Sequence, residues 1–216
     1  MINRSPKVSV ILPSNRPLSD LTKVSYKSII QQKYRNIEVL IFLNGISKKE
    51  CDLILEFLFQ NNIHNHTINH FYNKDPILPG NVRSELLNFS SGEYIIFLDA
   101  DDIPDINLIS IKIECAKKFK VDMVCSNAYT FSKVSDYKSG EMYKRNYSIS
   151  ILTLKYFRNS LIPLAINLVP NSGTLIRKTK YNKKILANYP KSRHEDFLFY
   201  LELISHVNGI ALIQIP

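Results

Sequence analysis

An α/β layered domain with a mainly parallel central sheet is the architecture this sequence predicts. Three observations predict it. Short apolar runs alternate with longer amphipathic stretches, the pattern of strands returning through helices. Five such runs lie between Lys7 and Cys125, each separated by helical spacing, which suits a doubly wound sheet. The longest of them, Val39 to Leu43 and Tyr94 to Leu98, are far below the roughly 18 residues of a membrane span.

The elements follow in order. Lys7 to Leu12 is rich in β-branched residues and stops at Pro13, before the polar turn Ser14-Asn15-Arg16-Pro17. Leu18, Leu21, Val24, Ser25, Ser28 and Ile29 recur at helical spacing, with Ser19 as the N-cap. Strand Ile37 to Leu43, helix Lys48 to Gln60 and strand Thr67 to Tyr72 repeat the unit. Helix Asn81 to Phe89, strand Glu93 to Leu98, helix Asp105 to Phe119 and strand Val121 to Cys125 continue it. Ser126 to Tyr156 loses periodicity, its tyrosines interleaved with lysines; it reads as a solvated excursion or an acceptor-binding flap. A strand at Ser172 to Arg177, a helix at Glu195 to His206 and a strand at Ile210 to Ile215 close the chain.

Composition narrows the partners. The 216 residues form one domain, 45% hydrophobic and 22% charged, enough for one sizeable core. Cys51, Cys115 and Cys125 are odd in number and lack the close spacing of zinc or redox pairs, so reduced thiols in a cytosol are expected. Met1 to Lys7 leads into no secretory apolar stretch. The net charge of +9 favours an anionic partner. Part of that excess is local: Arg177, Lys178, Lys180, Lys183, Lys184, Lys191 and Arg193 have no acid among them. They are either a docking face for an anionic membrane surface or a basic strand edge that discourages aggregation.

The chemistry concentrates at strand ends. Asp99, Asp101 and Asp102 fall within four residues after the apolar strand Tyr94 to Leu98. Three carboxylates so close repel one another, and a hard cation, Mg²⁺ or Mn²⁺, bound together with a diphosphate relieves the repulsion. Helix capping by Asp102 or Asp105 explains one of these acids and leaves the others. His194, Glu195 and Asp196 open an amphipathic helix, where acids also complement the macrodipole. His64, His66 and His70 form a weak metal reading in an Asn-rich segment.

Val8 to Pro13, Ile37 to Ile41, Arg83 nine residues before Gly92-Glu93-Tyr94, the Asp99 to Asp102 cluster and Glu195-Asp196 together resemble the family-two glycosyltransferases. The resemblance spans nearly the whole chain. It implies the GT-A fold, a Rossmann-like layered α/β domain, with residues 1–125 as the nucleotide-sugar half and 126–216 as the acceptor-side half, truncated if the gene product runs past 216. It further implies a metal-dependent, inverting hexosyl transfer from a nucleotide-diphosphate sugar, a UDP-sugar first, to a glycan or lipid-linked saccharide in surface polysaccharide synthesis. A nucleic acid is not among its partners, and its place is cytoplasmic or peripheral on the inner face of the membrane. Carried over, Asp101 and Asp99 hold the metal, and Asp99 also lies near the ribose. Asp102 lies near the donor sugar, Arg83 and the turn at Pro13 meet the nucleotide, and Asp196 is the catalytic base. Asn171-Ser172-Gly173-Thr174 resembles the segment beneath donor and acceptor.

Two departures stand out. Leu43-Asn44-Gly45 replaces the paired Asp after the second strand, leaving Asn44, a donor and acceptor, to read the base. Ser84 replaces the Asn that usually follows the Arg. They motivate a non-catalytic nucleotide-sugar-binding or assembly subunit as the alternative. A sugar nucleotidyltransferase ranks lower, because the loop after the first strand has no glycine for a phosphate cradle.

Overall fold

The computed structural model describes residues 5–128, 148–152, 170–192 and 195–214. Strands β1 (Val8–Ser14), β2 (Ile37–Asn44) and β3 (Thr67–Asn73) alternate with helices α1 (Asp20–Ile30) and α2 (Lys48–Asn61). Helix α3 (Pro79–Phe89), strand β4 (Tyr94–Phe97), helix α4 (Leu108–Phe119) and strand β5 (Met123–Ser126) follow. The described remainder comprises β6 (Ser148–Leu152), β7 (Leu175–Arg177), α5 (Lys183–Ala187), α6 (Glu195–Ile204) and β8 (Ile210–Gln214).

Local chemistry sets these boundaries. Ser19 caps α1 in a reciprocal box with Thr22, and Ser47 does the same for α2 with Glu50, so each satisfies two backbone donors the helix leaves open. Pro79 starts α3 two residues before the expected Asn81, because its fixed φ suits a first turn that needs no N–H. β2 is buried along its whole length, as a strand covered on both faces must be.

The sheet order is β3-β2-β1-β4-β7-β5-β8-β6. The pairs β3–β2, β2–β1, β1–β4 and β5–β8 are parallel, while β7 and β6 run against their neighbours. The mainly parallel sheet of the GT-A class is therefore present. Cores form on both of its faces. Tyr26, Ile29, Ile54, Leu58, Ile109 and Ile113 pack beneath α1, α2 and α4. Val82, Leu86, Ile185, Tyr189, Phe199 and Leu203 pack beneath α3, α5 and α6.

β1 sends the chain through α1 to β2 on one side, whereas β4 pairs on its other side. This reversal opens a crevice beyond the carboxyl ends of β1 and β4, the place where doubly wound sheets bind ligands. Three expectations change. β6 lies within the stretch expected to be irregular; tyrosines 129, 137, 143, 147 and 156 lie outside the described residues. β7 begins at Leu175, because Asn171 to Thr174 form a turn. β7 is also interior, between β4 and β5, so it is no sheet edge needing lysine protection.

Candidate active site

Pro13 and Ser14 end β1 at the crevice, in register with Phe42 and Leu43 of β2. The Ser14 hydroxyl and the Tyr26 phenol are 2.7 Å apart, and Ser14 Oγ accepts from the Arg16 N–H at 3.3 Å, so the turn after β1 is fastened to α1. Burial pushes the Tyr26 pKa up to about 12. It acts as a neutral brace.

Across the crevice, the acidic cluster folds into a tight turn in which the Asp102 N–H donates to Asp99 O at 3.1 Å. Ser25 Oγ clamps the Asp102 carbonyl at 2.5 Å. Asp99 is half-buried, whereas Asp101 and Asp102 are exposed. Arg16 Nη2 meets Asp101 Oδ2 at 2.9 Å. Sequence reasoning missed this contact; its signal was a basic residue in the polar turn after the first strand.

Arg83 brings the distant parts together. Buried in α3, it donates from Nη2 to Asp99 at 3.0 Å and from Nη1 to Glu195 at 2.6 Å, joining the end of β4 to the first turn of α6. Gly80 makes that approach feasible: a Cβ there would meet the Pro190 carbonyl oxygen at 2.1 Å, so only glycine lets α3 pack this close to the segment leading into α6. Burial disfavours the guanidinium charge, but Tyr189, Asp99 and Glu195 outweigh it and hold Arg83 protonated. Among the described residues neither its Nε nor the Tyr189 hydroxyl, both buried, has a hydrogen-bond partner. Burial pushes the Tyr189 phenol up. Asp99 also moves up, first through burial and then through Asp102 and Asp101, against the pull of Arg83.

Asp196 is exposed, one residue from Glu195, and its Oδ1 accepts from the Phe197 N–H at 2.8 Å. The open helix end thus favours both acids while leaving Asp196 accessible. Asn44 is buried, and its amide donates to Ile77 O at 2.9 Å and accepts from Ile77 N at 3.0 Å. In this arrangement the amide ties the 74–78 segment to β2.

Among the described residues no group of three or more His, Cys, Asp or Glu side chains is gathered for a metal. Asp99 and Asp101 each face a guanidinium instead. The donor set still fits a Mg²⁺-type ion, which is commonly held by one or two carboxylates with substrate phosphates and water completing the shell. His66 is buried, His64 is half-buried and His70 is exposed, and His194 lies outside the described residues.

The matching family model, "Glycosyl transferase family 2", covers residues 9–183. The chain belongs to that family. Relatives agree: a glycosyltransferase of Rickettsia bellii is 31% identical over 62% of this chain and 17% of its own length. One of Methanocaldococcus jannaschii is 23% identical over 97% of this chain and 68% of its own. Among solved structures, S. aureus TarS 1-349 superposes with a TM-score of 0.70 at 18% identity, over 97% of this chain and 60% of that one. The same TarS fragment in complex with UDP gives 0.71 at 19% identity, over 96% and 60%. The family-two chain thus has the GT-A fold and spans only part of several of its relatives.

Proposed function

We propose that this family-two protein transfers a sugar, with inversion, from a nucleotide-diphosphate donor to a hydroxyl of a glycan or lipid-linked saccharide in surface polysaccharide synthesis. The observation that carries the reading is Arg83, which links the donor-side Asp99 to the helix bearing Asp196. UDP is the first donor base to test, because TarS has been solved with UDP and with UDP-GlcNAc.

In the reaction, Asp196 takes the proton of the acceptor hydroxyl as that oxygen bonds to the anomeric carbon. The bond from that carbon to the diphosphate oxygen breaks, and its electron pair leaves with the nucleotide. In this reading Arg83 meets diphosphate oxygens by charge-assisted hydrogen bonds, and its pair with Glu195 supports a fixed orientation. Asp102 borders the donor sugar, while Pro13 and Asn44 shape the nucleotide wall. A Mn²⁺ or Mg²⁺ ion held by Asp101 and Asp99 neutralises leaving-group charge when bound.

The test is a panel of nucleotide sugars incubated with Mn²⁺ or with chelator, read by release of nucleoside diphosphate. Release that depends on metal and is lost in Asp101→Ala supports the reading. Binding without release or transfer favours the alternative, a nucleotide-sugar-binding or assembly subunit.

An anionic inner-membrane face is the second partner in this reading, supported by the exposed Lys180, Lys183, Lys184 and Lys191. Two cations of that run are otherwise engaged: Arg177 pairs with Glu93, and Lys178 donates to Ser90. Among the described residues no helix is long and apolar enough to cross a membrane. Vesicles with acidic lipid should retain the protein at low salt and release it as salt rises. Equal recovery on neutral vesicles removes this partner.

A further inference from the structure

Lys112 on α4 is fully buried, at 0% exposure. None of the ion pairs among the described residues includes it. A buried ammonium without a carboxylate is costly, and its retention calls for a compensating role. The hydrogen bond it makes is to the Gly173 carbonyl, at 2.5 Å.

Gly173 is the pivot of the turn from Asn171 to Thr174. Its φ of +86° is a conformation that side-chain-bearing residues rarely adopt. The turn is fastened to the crevice at three points. The Gly173 N–H donates to Phe97 O at 2.7 Å, Ser172 Oγ accepts from the Asp99 N–H at 3.2 Å, and the Tyr200 hydroxyl meets Asn171 Oδ1 at 3.3 Å. Lys112 supplies a fourth point, from the layer on the opposite face of the sheet to α6.

We propose that Lys112 is a positioning residue: its ammonium holds the Asn171 to Thr174 turn against the end of β4 and, through Ser172, fixes the Asp99 backbone where a nucleoside diphosphate binds. The role rests on the donor reading above. Burial lowers the Lys112 pKa to about 8, so the ammonium form still prevails at neutral pH.

The experiment compares the wild type with Lys112→Met in three measurements: thermal stability, hydrogen exchange and calorimetric titration with UDP in Mn²⁺. Removing an unpaired buried charge should leave Tm unchanged or higher. Exchange should quicken in peptides carrying Asp99 and Gly173 but not in those from β2. UDP affinity should fall about tenfold to 10²-fold, the scale on which small misplacements act. A lower Tm with unchanged UDP affinity assigns Lys112 to core structure alone and overturns the proposal, as does unchanged exchange at Asp99.

Ser172→Ala cuts the next link and keeps the claim testable if Lys112→Met does not fold. It should quicken exchange at Asp99 and weaken UDP, and unchanged behaviour refutes the proposed route. If both variants fold, their combined loss should be smaller than the product of the single losses, because both act through one turn. A wild type that binds none of a panel of nucleoside diphosphates refutes the donor reading, and the Lys112 role at a donor site with it. The exchange comparison then still decides whether Lys112 holds the turn.

Discussion

Two carboxylates, Glu38 buried and Asp99 half-buried, sit at opposite ends of the same sheet, and their acidities move in opposite directions. At the amino ends of the strands, Glu38 accepts from Ser9 Oγ, from the Ser91 N–H and hydroxyl and from the Gly92 N–H, and it pairs with Lys7. Burial alone would raise its pKa, but Lys7, Ser9 and Ser91 overcome burial and hold it at about 2. At the carboxyl ends, Asp99 has one guanidinium, shared with Glu195, and two like-charged neighbours; its pKa is raised. One end of the sheet is built to be satisfied. The other keeps a carboxylate burdened by burial and by its like-charged neighbours Asp102 and Asp101, and active sites accumulate such groups.

The contrast can be broken first at Asp196. Asp196→Asn should lower turnover by about 10²- to 10⁴-fold while nucleotide affinity holds, since a general base acts on the acceptor proton. Near-normal transfer in that variant would leave the carboxyl end without its base.

A stability effect of about 1–3 kcal/mol is expected from Glu38→Gln in urea unfolding, because the amide cannot accept from all the donors gathered there. The pH dependence sharpens the point. With a folded value of about 2 against the ordinary 4.5, the Glu38 contribution is complete above the ordinary value and is lost as pH falls through the folded one. The wild type should therefore lose Tm more steeply than Glu38→Gln across that window, and parallel curves would contradict the network.

The smallest effect should come from Asp99→Asn, with Tm unchanged or slightly raised, since the raised pKa means that ionised Asp99 burdens the fold at neutral pH. Nucleotide binding should nonetheless weaken. A clear fall in Tm would make Asp99 a structural partner of Arg83, like Glu38 at the other end.

These contrasts were partly legible in the sequence. Strands β1 to β5 declared themselves because their apolar runs are interrupted by amphipathic helices, and Ser19 was readable as a cap. The acidic cluster was legible because it follows a strand end directly. β6 was not, since its short polar-apolar alternation depends on β8, far downstream, for its pairing. α5 has five residues, too few for a helical period to emerge. Neither the Arg83–Glu195 pair nor the burial of Lys112 leaves a local signal, because each depends on elements remote in the chain.

The insertion of β7 between β4 and β5 also sets an order of assembly. Parallel pairing can unite β1 to β4 early, but β4 meets its other neighbour only when Leu175 to Arg177 arrive, and β5 joins the β4 side of the sheet through that same strand. Closing so long a loop has an entropic cost that precedes any gain from the contacts it makes. The turn preceding β7 joins Asp99 in the same event. During synthesis, the crevice is thus completed only after most of this chain has emerged, and until then β4 offers an open edge to any strand that finds it first.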